Sequence, residues 1–250
     1  MENFKKILSS FYIQDELNPT IWVNPEDVSR SKMNDEVRKS LLAIADEFIE
    51  FLGLEIFVSD ITMTGSLANY NWSDFSDIDL HIMYDFTEAG TQKELYQELF
   101  KLKKTLFNST HDITVKGYEV ELYVQDTTES HFSTGVYSVL YDEWIHAPSP
   151  ESVTIDENKL KEKVEQWMDI IDNIMDNAED EELEDALEMI DSVKDKLKKF
   201  RSCGLEREGE YSYENLVFKF LRRNGYIQKL FDFTNELVDK RLSLEQENVN

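Results

Sequence analysis

Asp77 and Asp79, separated only by Ile78, follow the small-residue turn Thr64-Gly65-Ser66 along the chain. These residue types at this spacing suit a magnesium-nucleotide site. Strand side chains repeat with a period of two, so both carboxylates should point the same way with their Cα atoms roughly 6.6 to 7 Å apart. Magnesium takes hard oxygen ligands and keeps positions for water and phosphate, so an aspartate pair on a rigid strand suits it better than a complete protein cage. Gly65 lets the backbone approach a phosphate closely, and Ser66 offers a hydroxyl and an N–H where a short helix through Tyr70 would begin.

The flanking residues predict the elements that hold this pair. Ile56-Phe57-Val58 and Ile61-Thr62-Met63 read as a strand running into the turn. Ile78, Leu80 and Ile82 alternate with Asp77, Asp79 and His81, which assigns one strand face to the core and the other to chemistry. From Asn34 to Phe51, Val37, Leu41, Leu42, Ala45, Phe48 and Ile49 recur at helical spacing, and Gly53 is placed to stop the helix. Leu95, Leu99, Leu102 and Leu106 mark another helix over Thr91 to Phe107, and short strands are expected at Ile113 to Val115 and Glu119 to Val124. Gly135 to Tyr141 and Trp144-Ile145 read as a last strand or a packed cover, and Pro148-Ser149-Pro150 as a linker. Beyond it the period is helical throughout. Leu160 to Ile174 and Leu183 to Leu197 form an expected antiparallel pair, followed by Tyr213 to Arg223 and Tyr226 to Leu242, with a break at Asn224-Gly225 and a polar tail from Glu245 to Asn250.

Gly65-Ser66, ten intervening residues and then Asp77-Ile78-Asp79 resembles the signature of the DNA polymerase β type nucleotidyltransferase superfamily. The resemblance covers about residues 56 to 125. It implies an α+β fold, with a small nucleotidyltransferase-like mixed sheet and flanking helices in a catalytic domain over residues 1–147. A helical substrate-handling domain over residues 151–244 would close over the nucleotide. It also implies a third carboxylate on a later strand, for which Glu121 is the first choice and Glu119 the reserve. Glu121 sits centrally in the alternation of Val120, Leu122 and Val124, whereas Glu119 is nearer the strand end. Asp77, Asp79 and Glu121 would then ligate two magnesium ions and carry catalysis. Gly65 and Ser66 would position the phosphates of an NTP, helped by Lys219, Arg222 and Arg223, which form one basic patch at helical spacing. The implied reaction is transfer of a nucleoside monophosphate to a hydroxyl of a small molecule, a protein or a short RNA end, with release of pyrophosphate.

Composition bounds the acceptor. The 52 acidic and 26 basic residues give a net charge of −26, which opposes a long nucleic-acid partner, whose non-specific affinity comes from cationic side chains displacing counterions. The same charge supports a rival reading, a catalytically inactive acidic scaffold that binds a basic partner. The absence of a long apolar run predicts a soluble, cytoplasmic protein that does not engage a membrane. Cys203 is the only cysteine, so neither an intramolecular disulfide nor a thiolate cluster is available. The four histidines, His81, His111, His131 and His146, lack metal-ligand spacing, and His81 on the aspartate face is expected to serve packing or hydrogen bonding.

Overall fold

The computed structural model describes residues 2–129, 133–150, 153–179 and 182–243 of the chain. His131 and the polar tail Glu245 to Asn250 lie outside the described residues. The chain forms two compact units, one spanning Tyr12–Ser152 and one that joins the residues up to Phe11 with those from Val153 onward. The domain expected over residues 1–147 grouped the first residues with the sheet, whereas the residues up to Phe11 cluster with the helical unit. The first helix, α1 (Glu2–Ser9), belongs to the helical unit because its apolar residues are buried there. Phe4 packs on Phe220 at 4.7 Å, and Arg223 donates to Ser10 Oγ at 2.6 Å and stacks 5.0 Å from the ring of Phe11.

The other unit is α+β. A two-residue ladder of β1 (Trp22–Val23) and β2 (Lys32–Met33) precedes α2 (Asp35–Leu52). Asn34 caps α2 by accepting from the Glu36 N–H, and Gly53 ends it in the left-handed conformation at φ 68°, as the sequence indicated. Then come β3 (Val58–Thr64), β4 (Ile78–Tyr84), α3 (Lys93–Thr110), β5 (Thr114–Val115), β6 (Tyr118–Asp126), β7 (Val136–Ser138) and β8 (Glu143–His146). They make a six-stranded mixed sheet in the order β5-β6-β4-β3-β7-β8, in which β4 and β6 run parallel and the other neighbours antiparallel. The single strand expected from Ile56 to Met63 is β3, which begins at Val58 and carries a bulge between Val58 and Asp60.

Ile78, Leu80 and Ile82 are fully buried against a core that includes Val37, Leu41 and Phe48 of α2. The second helix beside the sheet corrects the leucine reading. Leu95, Leu102 and Leu106 are 63, 65 and 51% exposed, whereas Phe100 and Phe107 of α3 are buried. Both sets recur at helical spacing. The phenylalanines win the core because they meet aromatic partners there: Phe107 packs on Phe48 at 5.2 Å and Phe100 on Tyr84 at 5.6 Å.

The helical unit adds α4 (Glu157–Glu179), α5 (Leu183–Glu208), α6 (Tyr213–Arg223) and α7 (Tyr226–Leu242), packed through residues such as Val164, Ile171, Ile190, Phe220 and Leu237. At Gly204 of α5 a Cβ would lie 2.4 Å from Glu214 Cβ of α6, so glycine permits this approach. Among the described residues no helix is long and apolar enough to cross a membrane.

Candidate functional site

Asp79 sits on β4 with Thr64 of β3 as its register partner on one side and Glu121 of β6 on the other. Because β4 and β6 are parallel and in this register, Asp79 and Glu121 present their carboxylates side by side. Asp77 lies one residue before the strand. Asp77, Asp79 and Glu121, each half-buried, bring one carboxylate oxygen apiece within 4.8 Å of one another and could hold a metal ion. Glu119 is exposed and stands outside this group.

Gly65 closes the turn from β3 with φ 79° and ψ −164°, a conformation open to glycine. A Cβ at this position would lie 2.0 Å from Asp79 Oδ2, so the carboxylate fills the space a side chain would take. Ser66 begins a short 3₁₀ turn (Ser66–Ala68), shorter than the helix expected through Tyr70. Its hydroxyl bonds Ser76 Oγ at 2.7 Å, and Ser76 Oγ also accepts from the Ser73 N–H at 3.0 Å. The turn at Ser66 and the segment leading to Asp77 are thereby tied to each other. Trp22 fixes the far side of the turn by donating its indole N–H to the Leu67 carbonyl at 2.7 Å.

A set of side chains the sequence did not single out surrounds Glu121. Tyr123, two residues along β6, hydrogen-bonds Glu121, and its ring stacks on His81 with centroids 4.9 Å apart. His81 Nε2 lies 3.1 Å from Thr64 Oγ1, so His81 has the hydrogen-bonding role expected of it. Lys104 of α3 places Nζ 3.3 Å from Glu121 Oε1 and 3.9 Å from the Tyr123 ring centroid. Burial pushes the Tyr123 phenol up, and the hydrogen bond to Glu121 and the charges of Glu121, Asp79 and Asp77 push it further. The three carboxylate charges thus add to a shift that burial leads. Period-two spacing from Glu121 was the one signal for Tyr123. Lys104 had no local signal to set it apart from Lys101 and Lys103 on the same helix.

The three basic residues assigned to the triphosphate all lie on α6, in the helical unit. Lys219 pairs with Glu210 at 2.5 Å, and Arg223 is turned toward Ser10 and Phe11. Arg222 is exposed. The pKa of its neighbour Arg201 is held down by burial first and by the Arg222 charge second. His111 closes α3, with Nδ1 3.0 Å from the Phe107 carbonyl, while His146 lies exposed on β8 and Cys203 is an exposed free thiol.

Comparison of the chain with protein-family models, curated proteins and solved structures finds no match in any of the three.

Proposed function

We propose that the chain is a magnesium-dependent nucleotidyltransferase that moves a nucleoside monophosphate from an NTP to an acceptor hydroxyl. The observation that carries this reading is the meeting of Asp77, Asp79 and Glu121 within 4.8 Å, with the Gly65 backbone packed directly on Asp79. An all-carboxylate donor set is hard and anionic, and fits magnesium better than a soft or borderline metal. Asp77, Asp79 and Glu121 would hold two ions, which supply Lewis-acid activation of the acceptor oxygen and neutralise triphosphate charge. Gly65 has no side chain to part its backbone from the Asp79 carboxylate, and the Ser66 hydroxyl is held in place by Ser76. In the reaction the acceptor oxygen bonds to the α-phosphorus, the bond to the bridging oxygen breaks, and pyrophosphate leaves. Glu121 would take the acceptor proton.

The test is calorimetric titration of each NTP with magnesium into wild type and into the Asp77→Asn, Asp79→Asn double variant. Metal-dependent binding to wild type, lost in the variant with little change in melting temperature, is the expected result. Binding that survives the double substitution, or no binding of any NTP, refutes the proposal. The net charge of −26 favours one second reading, an acidic scaffold that keeps the fold and engages a basic protein. Salt-dependent capture of such a protein, indifferent to nucleotide and to the two aspartate substitutions, is the outcome that selects it.

A further inference from the structure

The helix α3 runs beside the edge of β6, and Asn108 is one of the residues that fasten it there. The Asn108 side chain donates to the Leu122 carbonyl at 3.1 Å and accepts from the Leu122 N–H at 3.3 Å, so an amide stands in for a neighbouring strand. Lys104 lies one helical turn before Asn108 and Glu121 one residue before Leu122, so this clamp fixes the reach of the lysine toward the triad. The Lys104 ammonium has two partners there, Glu121 Oε1 at 3.3 Å and the Tyr123 ring at 3.9 Å. Its side chain is only 24% exposed, unlike an ordinary surface lysine. Beyond the ammonium lies an open groove of about 310 Å³, lined in part by Gln97, Lys101, Phe100 and Tyr123.

Three carboxylates within 4.8 Å repel one another, and a cation beside them lowers that cost. We propose that Lys104 is a tethered counter-ion of the triad: it occupies Glu121 until a divalent cation enters, and metal binding proceeds by exchange of the ammonium for the metal. The inference rests on the metal reading of Asp77, Asp79 and Glu121. The Tyr123 ring makes the exchange practicable, because the ammonium can release Oε1 and stay over the aromatic face, where cation–π attraction persists. Lys104 thus acts through Glu121 as a positioning residue and sets how tightly the site takes its cation.

The sign of the effect distinguishes this role from a structural one. A unit positive charge about 5 Å from a divalent ion opposes its binding by about tenfold at the dielectric of water. Manganese(II) alone is titrated calorimetrically at low ionic strength into wild type, Lys104→Met, Lys104→Arg and the Asp77→Asn, Asp79→Asn double variant. Lys104→Met is expected to bind the ion about tenfold more tightly than wild type, with the gain shrinking as salt rises. Lys104→Arg is expected to stay near wild type, and the double aspartate variant to lose binding. Unchanged or weaker affinity in Lys104→Met, with binding still abolished by the aspartate substitutions, overturns the counter-ion role and leaves the metal reading standing. No binding to wild type or to Lys104→Met overturns both.

Discussion

Replacing Gly65 with alanine strikes the candidate site from the backbone side and separates two effects in one experiment. The new Cβ would lie 2.0 Å from Asp79 Oδ2 and 3.0 Å from Asp79 Cγ. Non-bonded carbon contacts settle near 3.5 Å, so the carboxylate must swing away by more than about 1 Å. The backbone adds its own term: φ 79° with ψ −164° is open to glycine and strained for alanine by about 1–3 kcal/mol. For a unit of this size that strain lowers the melting temperature by on the order of 4–12 °C. Displacing Asp79 also withdraws one of the three carboxylates that could hold a metal ion, so under the proposed metal reading divalent-ion affinity should fall at least about tenfold, the scale on which misoriented ligands weaken metal sites. The two effects separate in an Asp79→Ala background. There the nearest remaining atom of residue 79 is the Cβ, at 3.5 Å, an ordinary contact. In that background Gly65→Ala should retain only its backbone strain and take nothing further from metal affinity. Thermal melts and manganese titrations of the four proteins in this cycle provide the readout. Wild-type metal affinity in Gly65→Ala, or the same stability loss with and without the Asp79 carboxylate, would refute the close approach on which the reasoning depends.

Two further predictions concern the frame around the site. Asp126, at the end of β6 and 3% exposed, accepts from Lys93 Nζ at 2.9 Å and from the Thr128 N–H at 3.0 Å. Burial raises its carboxyl pKa, but the bonds from Lys93 and Thr128 outweigh this and hold it below the usual carboxylate range. A folded pKa below the unfolded one gives stability that is complete above the usual range and is lost as pH falls through the folded value. Asp126→Asn is therefore expected to cost about 1–3 kcal/mol near neutrality and to make urea-unfolding stability less steep in pH below about 4; an unaltered acid limb counts against the assignment. Asn108→Ala removes both side-chain bonds to the buried Leu122 peptide and should cost about 1–3 kcal/mol in chemical denaturation, whereas a neutral substitution would show that the edge of β6 needs no clamp.

The elements legible in the sequence are those whose signal is local. Asn34 before a periodic apolar run and Gly53 after it bounded α2, because caps act on the turn beside them. Alternation of Ile78, Leu80 and Ile82 with Asp77, Asp79 and His81 gave β4 its two faces, and the long periods after Pro150 gave four helices. What stayed hidden depends on which core an element joins. Nothing in the spacing of Ile7 and Leu8 says that α1 packs with α6 more than 200 positions away; the contact of Phe4 with Phe220 and the bond from Arg223 to Ser10 are long-range facts. In α3 two apolar stripes compete at the same period, and shape complementarity with Phe48, Tyr84 and Phe86 decides between them. The strands β1 and β2 have two residues each, too few for any periodicity.

The third carboxylate shows where legibility ends and geometry takes over. Glu119 and Glu121 share one face of β6, so a slip of two residues would exchange them beside Asp79 without turning a single apolar side chain outward. Alternation therefore cannot choose between them. Two devices outside the alternation set the register. The hairpin from β5 into β6 pairs Val115 with Tyr118 across Lys116 and Gly117, both at positive φ, 53° and 87°. Such a two-residue turn needs positive φ at both positions and pins the start of β6. The second device is the Asn108 amide, which grips both backbone groups of Leu122 and so fixes β6 against α3. With Val120 opposite Ile78 and Leu122 opposite Leu80, Glu121 can only fall beside Asp79. The Asn108 clamp that helps set this register also sets the reach of Lys104 on the same helix, so the third carboxylate and the ammonium that contacts it share a positioning interaction.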